Sequence, residues 1–388
     1  MELELLNHSD VKMRLEALKK LYKNHKKIEP QQSTNNHVHT FYSFSPYSPS
    51  AAVWMAYKAG LPVVGIMDHD SISGAEEFLA AGEIVGISTT CGVELRADFS
   101  DTRLAEKRIN NPDQKGIAYL ALHAISRDNF KRVTEFFAPY RVERNKRNRL
   151  MTDNINNIID DTVLHLDFDK DILPISKFVE GGSVTERHLL FALTKKLLAK
   201  TGKGIGVSAW FAGYSIVISE GIKERLTDVN NPFYEYDLLG VLKGSFAERM
   251  YLPATSECPS VSKVVDFAKQ INAVLAYAYL GDVNDSVTGD KKAQKFEDSY
   301  LDMLFEELKH LNFDAVTYMP SRNTEPQLNK IRKMCDLFGF MQISGEDVNS
   351  PRQSFVCNQL NNPIYKNLVE SSWQLIAHEK KEANYKRI

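Results

Sequence analysis

The chain has 388 residues, with 48 basic against 50 acidic side chains and 43% hydrophobic residues. That is the composition of an ordinary folded protein with a large core, which excludes disordered, fibrous and coiled-coil classes. A net charge of −2 gives no global electrostatic case for nucleic-acid or membrane binding. The length predicts two to three folding units at about 150 residues each, although an α/β barrel of about 200–250 residues counts as one. The longest uncharged apolar stretch, 204–219, carries three Gly and three Ser and is too short and too polar to span a membrane. The start, MELELLNHSD, shows no basic segment ahead of an apolar one, so a cytoplasmic protein is expected. Cys91, Cys258, Cys335 and Cys357 lie far apart, which argues against a disulfide framework or a Cys-based zinc site.

In chain order, Asp10 can cap a helix to about residue 27, with Val11, Leu15, Leu18 and Tyr22 on one stripe. Its other face, with Lys12, Arg14, Lys19, Lys20, Lys23, Lys26 and Lys27, reads as solvated. Pro30 and QQSTNN read as a linker closing a helical extension over 1–34. Strand-like and helix-like segments then alternate: a strand end at 37–40, a helix at 49–60, a buried strand at 61–67 and a helix at 74–85. Strands follow at 87–93 and 117–124, then a helix from 127. This rhythm predicts a parallel sheet with crossover helices, open or closed into a barrel, with its first part at 35–138. Residues 139–250 break the rhythm and read as a mainly helical insert. Alternation resumes within 251–360, with helices at 261–272, 297–311 and 327–338 and strands at 273–279, 315–319 and 341–344. Residues 361–388 form a helical tail, and its end, HEKKEANYKRI, reads as solvated.

The chemistry gathers behind the strands. His37 and His39 are two apart, so on a strand both imidazoles face one side, within reach of one metal. Asp68-His69-Asp70 follows the apolar run VVGIM, and three adjacent ionisable groups there need partners. Glu94 ends STTCGVE, His123 ends AYLALH, and Glu346-Asp347 follows MQISG. In a parallel α/β barrel each would arrive at the carboxyl-terminal mouth, where such folds hold their sites.

The order HxHT, DHD, GVE, His and a late Asp resembles the PHP (polymerase and histidinol phosphatase) family of metal-dependent phosphoesterases. Within it, the likeness is to the branch that dephosphorylates nucleoside monophosphates and 3′,5′-bisphosphonucleotides. HVHTFYS, VVGIMDHDSISGAEEF and GVEL carry the resemblance, supported by PYRVERNKRNRLM, VTERHLLFAL and ISGEDVNSP, over roughly 36–350. It implies a distorted (β/α)7 barrel with two or three metals at its mouth. His37, His39, Glu94 and Asp347 match the first metal's ligands; Glu94 also matches the carboxylate that bridges to a second metal, whose histidine is matched by His123. The sequence departs where Tyr277 stands in the place of a further histidine. For a third metal His69 matches, but Ser43, Phe44 and Ser45 offer no acid or histidine, and Asp347-Val348-Asn349 replaces Asp-x-His.

The resemblance therefore implies one to three divalent ions, with Mn, Fe or Zn favoured by mixed imidazole and carboxylate ligation. A metal-bound hydroxide would attack phosphorus, and Asp68 and Asp70 would orient ligands or the nucleophile. The basic stretch 141–149 places Arg141 and Arg144 on one helix face, where guanidinium forks suit a phosphate or merely meet solvent. Ser183-x-x-Glu186 reads as a capping box, with Arg187 and His188 in a first helical turn that favours anions. His188 reads as a phosphate ligand, a proton donor to the leaving group, or a surface histidine. The glycine-rich run GKGIGVSAWFAG lacks a phosphate-loop pattern, and Trp210 and Phe211 read as core. The expected reaction is hydrolysis of a small phosphomonoester, a nucleotide first, with no membrane or double-stranded nucleic-acid partner. Two alternatives stand beside it: a nuclease on short single strands, and a metal-binding sensor without turnover. The sequence leaves the oligomeric state open.

Overall fold

The computed structural model describes residues 2–283 and 295–385. Its sheet has the order β1 (Asn35–Val38), β2 (Val63–His69), β3 (Ser88–Asp98), β4 (Ile117–His123), β5 (Val274–Ala278), β6 (Ala315–Tyr318) and β7 (Met341–Ser344), each beside its sequence neighbour. The sheet curls until β1 meets the segment after β7 through a bridge between Val38 and Val348. Crossover helices make the strands parallel: α3 (Pro49–Lys58) after β1, α4 (Ala75–Val85) after β2, α11 (Leu301–His310) after β5 and α12 (Glu325–Phe338) after β6. No helix separates β3 from β4, and β4 runs antiparallel to both its neighbours. The sheet is therefore mixed, not wholly parallel as the alternation predicted.

Between β4 and β5 the chain builds α5 (Phe130–Ile158), α6 (Glu186–Thr201), α7 (Ile205–Gly213), α8 (Glu220–Thr227), α9 (Tyr234–Met250) and α10 (Val261–Gln270). Helix α5 continues through Pro139, so it links barrel and insert as one rod. The insert has its own core of Met151, Leu189, Leu193, Leu238 and Phe246. A larger core, with Trp54, Phe78, Phe99, Phe137 and Phe305, fills the layer between sheet and outer helices. The concave face of the sheet carries small side chains, Ala121, Ala276 and Ala315, with Met67, Ile343 and Leu375. Leu375 belongs to α13 (Lys366–Tyr385), which seals the end away from the mouth.

Both termini are more deeply integrated than their composition suggests. In the amino-terminal segment, α1 (Glu2–Leu6) and α2 (Val11–Asn24) precede β1. Arg14, expected to be solvated, has no exposed surface and grips Glu77 of α4 through Nε (2.8 Å) and Nη2 (2.5 Å). The expected linker is built in as well: Gln31 donates its N–H to Gly60 O (2.7 Å), and Ser33 and Thr34 are buried. In the tail, Glu379 accepts from Thr90 Oγ1 and from the Cys91 N–H (2.6 Å) of β3, so this part is not solvated. Ser372 meets Thr34 and Asn36 at 2.8 Å, just ahead of His37. The last three residues of the tail lie outside the described residues. Among the described residues, no helix is long and apolar enough to cross a membrane, and all four cysteines are free and buried.

Candidate metal centre

Alternation on β1 sends Val38 into the outer core and leaves His37 and His39 on the concave side. Strand β2 ends with His69 in register with Glu94 of β3, and directly opposed residues share a face. The loop after β7 brings Asp347 back to β1, where the His39 N–H donates to Val348 O (3.0 Å) and the Val348 N–H to His37 O (3.2 Å). The outcome is two overlapping donor groups, His37/His39/Asp347 and His39/His69/Glu94. His39 Nε2 lies 3.2 Å from Asp347 Oδ1 and 3.6 Å from Glu94 Oε2, while His37 Nε2 (3.6 Å) and His69 Nδ1 (3.0 Å) reach the same Glu94 oxygen.

The electrostatics suit a cation. Burial would raise the Glu94 carboxyl, but His69, His37 and His39 together hold it down at about 2. Burial also pulls Asp347 upward, yet its bond to His39 and the charges of His39, His37 and Arg187 keep it well below the usual carboxylate range. His69 is pushed down to about 3 by burial, so its ring is neutral and keeps a lone pair to offer. For His39, burial favours the neutral ring, but Asp347, Glu94 and Asp68 outweigh it and raise the pKa, the mark of a negative potential at that point. Three imidazoles and two carboxylates of this kind fit a divalent ion of the Mn, Fe or Zn type.

The supports around these donors are themselves fixed. Asp68 is wholly buried and accepts from the Thr40 N–H (2.7 Å), Thr40 Oγ1 (2.6 Å) and Ser43 Oγ (2.6 Å). Since Ser43 donates to Asp68, its oxygen is left to accept from His39 Nδ1 (3.2 Å), which assigns the proton to Nδ1 and turns Nε2 toward the donors. Asp68 thus acts through Ser43, a residue that the sequence presented only as a missing ligand. Asn349 similarly donates to Asp347 Oδ1 (2.6 Å). Asp70, at φ +49, donates its N–H to Glu94 O (2.9 Å) and pairs with Arg144 (2.6 Å), while its carbonyl accepts from Arg141 Nη1 (2.9 Å).

Arg141 and Arg144 are therefore buried against Asp70, where they brace α5 over the mouth. Next to them Arg147 pairs with Glu186 and Glu257 (2.5 Å), and Arg96 of β3 pairs with Glu257 (2.9 Å). This buried box was missed; its only sequence signal was Arg96 two places after Glu94, on the same side of the strand. The cap of α6 is also different from the one predicted. Thr185, not Ser183, is the N-cap, and the Thr185 N–H donates to His188 Nδ1 (3.0 Å). His188 is thus a reciprocal capping residue, held neutral by burial, with a pKa of about 3. Arg187 stands half-buried beside it and makes no ion pair among the described residues.

The reversal of β4 changes two positions. Because β4 runs the other way, its carboxyl end points away from the mouth. His123 follows Leu122, which pairs with Val93, so it sits in the row of Gly92, two rows deeper than Glu94, and not at the mouth as predicted. It still faces the concave side; it is 1% exposed, with its Nε2 unpartnered among the described residues, and burial keeps it neutral at about 3. On β4, Tyr119 stands opposite Arg96, and its ring is 6.2 Å from that of His69. Tyr277 does not occupy a ligand place. Its register partner is Leu120 on the outer face, and its phenol donates to buried Glu297 (3.1 Å). Tyr279 is likewise committed, donating to Asp298 Oδ1 (2.5 Å).

Residues 35–185 match the model of the PHP domain family. A 63-residue stretch is 36% identical to the 5′-3′ exoribonuclease of Haemophilus influenzae; it covers 16% of this chain and about a quarter (23%) of that relative's length. Among solved structures, the chain is similar to the "putative metal-dependent phosphoesterase" of Bifidobacterium adolescentis. The TM-score is 0.55 with 19% identity, covering 88% of this chain and 98% of that one. It is also similar to an amidohydrolase of Chromobacterium violaceum, solved with sulfate and no metal, at a TM-score of 0.54 with 14% identity, covering 88% and 96% of the two chains. These likenesses show a shared fold.

Proposed function

We propose that this chain is a metal-dependent phosphoesterase of the PHP type that hydrolyses a small phosphomonoester, with nucleotides as the first substrate class to try. The observation that carries this reading is the convergence of His37, His39, His69, Glu94 and Asp347 on one point of the mouth, through two donor groups sharing His39. The match of residues 35–185 to the PHP domain supports it.

A divalent ion held by these five side chains would lower the pKa of a coordinated water to roughly 7 and offset charge on phosphoryl oxygens. The chain's own residues supply the rest. The Asp68–Ser43 pair holds His39 in the tautomer that presents Nε2, and Asn349 fixes Asp347. His123 is the further imidazole with a free, buried nitrogen on the concave face. Arg187, unlike Arg144, has no ion pair among the described residues to give up before it takes a phosphate oxygen, and its charge acts on Asp347.

The stretch of identity with an exoribonuclease favours a second reading, cleavage of short single strands. Such an activity wants an extended basic track along the strand. The basic run here is spent: Arg144 on Asp70, Lys146 on Glu143, Arg147 on Glu186 and Glu257, and Arg149 on Asp169. The deciding experiment is turnover of an aryl phosphate, a nucleoside monophosphate and a 5′-phosphorylated oligoribonucleotide with Mn²⁺ added. Release of phosphate from the first two, abolished by His39→Ala and Asp347→Ala, is expected. Shortening of the oligonucleotide alone would favour the second reading, and no turnover of any of them with metal bound would leave a binding protein.

A further inference from the structure

Hydrolysis of a phosphomonoester needs a proton for the oxygen that departs from phosphorus, because an alkoxide leaves poorly as an anion. The imidazoles around the centre do not supply it. His37, His39 and His69 are gathered with Glu94 and Asp347 as metal donors. His123 lies two rows deeper than Glu94 and is neutral. His188 is neutral as well, with a pKa of about 3; it spends Nδ1 on the cap of α6 and packs edge-on against Phe44 at 5.0 Å. The nearby acids Asp70, Glu186 and Glu257 are committed to arginines.

Tyr119 is different. Alternation on β4 sends Leu120 and Leu122 into the outer core and leaves Tyr119 and Ala121 on the concave side. Ala121 is the register partner of Glu94 and Tyr119 that of Arg96, so the tyrosine stands two rows on from the Glu94 carboxylate, in the direction of the mouth. Its ring centroid is 6.2 Å from that of His69, with the planes 51° apart. Its backbone is pinned, because Asn110 accepts from the Tyr119 N–H (2.7 Å) and donates to Tyr119 O (2.8 Å) and Ala278 O (2.6 Å). The side chain is half-buried and its phenol makes no hydrogen bond among the described residues, whereas Tyr277 and Tyr279 are both bonded to acids. Opposite it, Arg96 is 2% exposed and held by Glu257.

We infer that Tyr119 is the general acid of the reaction, its phenol donating a proton to the oxygen that leaves phosphorus. This rests on the phosphoesterase reading and assigns a catalytic residue to it. A phenol with an ordinary pKa of about 10 keeps its proton near neutral pH. As the oxygen of water bonds to phosphorus, the bond from phosphorus to the ester oxygen breaks. The electron pair stays on the ester oxygen, which takes the Tyr119 proton and departs as an alcohol. The phenolate is left opposite the Arg96 guanidinium, whose charge favours it, and it recovers the proton that the attacking water gave up. A positioned acid of this kind contributes about 10²–10⁴-fold.

The test removes only the hydroxyl, in Tyr119→Phe, and compares two esters on Mn²⁺-loaded protein. The leaving group of p-nitrophenyl phosphate departs readily as an anion, and that of glycerol 1-phosphate needs the proton. Tyr119→Phe should lower kcat/KM for glycerol 1-phosphate by about 100-fold or more, and for p-nitrophenyl phosphate by less than about threefold. Calorimetric titration should show Mn²⁺ bound as in wild type. Equal losses on both esters, with or without weaker Mn²⁺ binding, would make Tyr119 a support of the centre and overturn the proposal, as would no loss on either. A second measurement needs no variant: in wild type, kcat/KM should change by less than about tenfold along p-nitrophenyl phosphate, phenyl phosphate and glycerol 1-phosphate. A steep fall along that series, or turnover of the p-nitrophenyl ester alone, overturns the acid and leaves the phosphoesterase reading standing. Turnover of none of them by wild type overturns that reading, and the acid with it.

Discussion

Ser43→Ala isolates the device that orients His39. In the native loop the Ser43 hydroxyl donates to Asp68 at 2.6 Å and stands 3.2 Å from His39 Nδ1. Removing it leaves Asp68 with its two bonds from Thr40, enough to keep the loop folded, but takes the partner that His39 Nδ1 has among the described residues. The ring is then free to rotate or to move its proton to Nε2, the nitrogen that faces Glu94 and Asp347. Loss of a support of this kind costs about 10- to 100-fold in metal affinity, or about 1.4–2.7 kcal/mol. The assay is calorimetric titration with Mn²⁺ near neutral pH, alongside urea unfolding of the metal-free protein. Ser45→Ala is the control, because the Ser45 hydroxyl only accepts a long bond from the Tyr47 N–H (3.4 Å) in the same loop. Ser43→Ala binding Mn²⁺ within twofold of wild type would refute the reasoning. So would equal losses in both variants, which would point to the loop in general.

Glu379 predicts a pH dependence of stability. Burial pushes its carboxyl up to about 8 against the pull of Thr90 and Cys91, and a raised acid pKa means that the folded state holds the proton more tightly. Its contribution is therefore complete at low pH and falls as pH rises from the ordinary carboxylate range through about 8; Glu379→Gln should flatten the decline in urea midpoint between roughly pH 5 and 8, and an unchanged slope would count against this. Arg14→Ala leaves the buried Glu77 carboxylate without its cation and should cost about 3–5 kcal/mol in urea unfolding, whereas a loss below about 1 kcal/mol would fit the solvated face that composition suggested. Gly92→Ala would place a methyl 2.6 Å from Met67 Cε and 2.7 Å from Leu122 O; the methionine can move but the β4 backbone cannot, so a loss of about 1–3 kcal/mol and a lower Tm by calorimetry are expected.

The mouth of the barrel was legible because side chains on parallel strands obey a simple rule: polar groups that follow an apolar strand arrive at the same end. His37, His39, His69, Glu94 and Asp347 all obey it. His123 looked identical in sequence, the last residue of AYLALH, and it broke the rule because strand direction leaves no mark in a seven-residue apolar run. The signal that existed was the spacing from Asp98 to Ile117, a connection with no helical pattern, which argues for a reversal. The same reversal decides Tyr277: only the register with Leu120 reveals that it faces outward.

Charge was the other blind spot, for a related reason. A residue's sequence shows its charge but not what neutralises it, and here the partners are far away: Arg14 with Glu77, Arg144 with Asp70, Arg147 with Glu257. Isolated buried charges of this kind are too costly to persist, so each is paired in the folded state. This turns the basic stretch at 141–149 from a substrate track into a brace. Arg144 and Arg147 are committed to acids that reach them from β2, α6 and the segment before α10, fastening α5 across the mouth, and Arg141 donates to the Asp70 backbone. On the proposed reading, an incoming anion meets Arg187, which makes no ion pair among the described residues. Arg187 owes that position to the α6 cap, where His188 satisfies the backbone of Thr185 and the preceding guanidinium stays free at the rim.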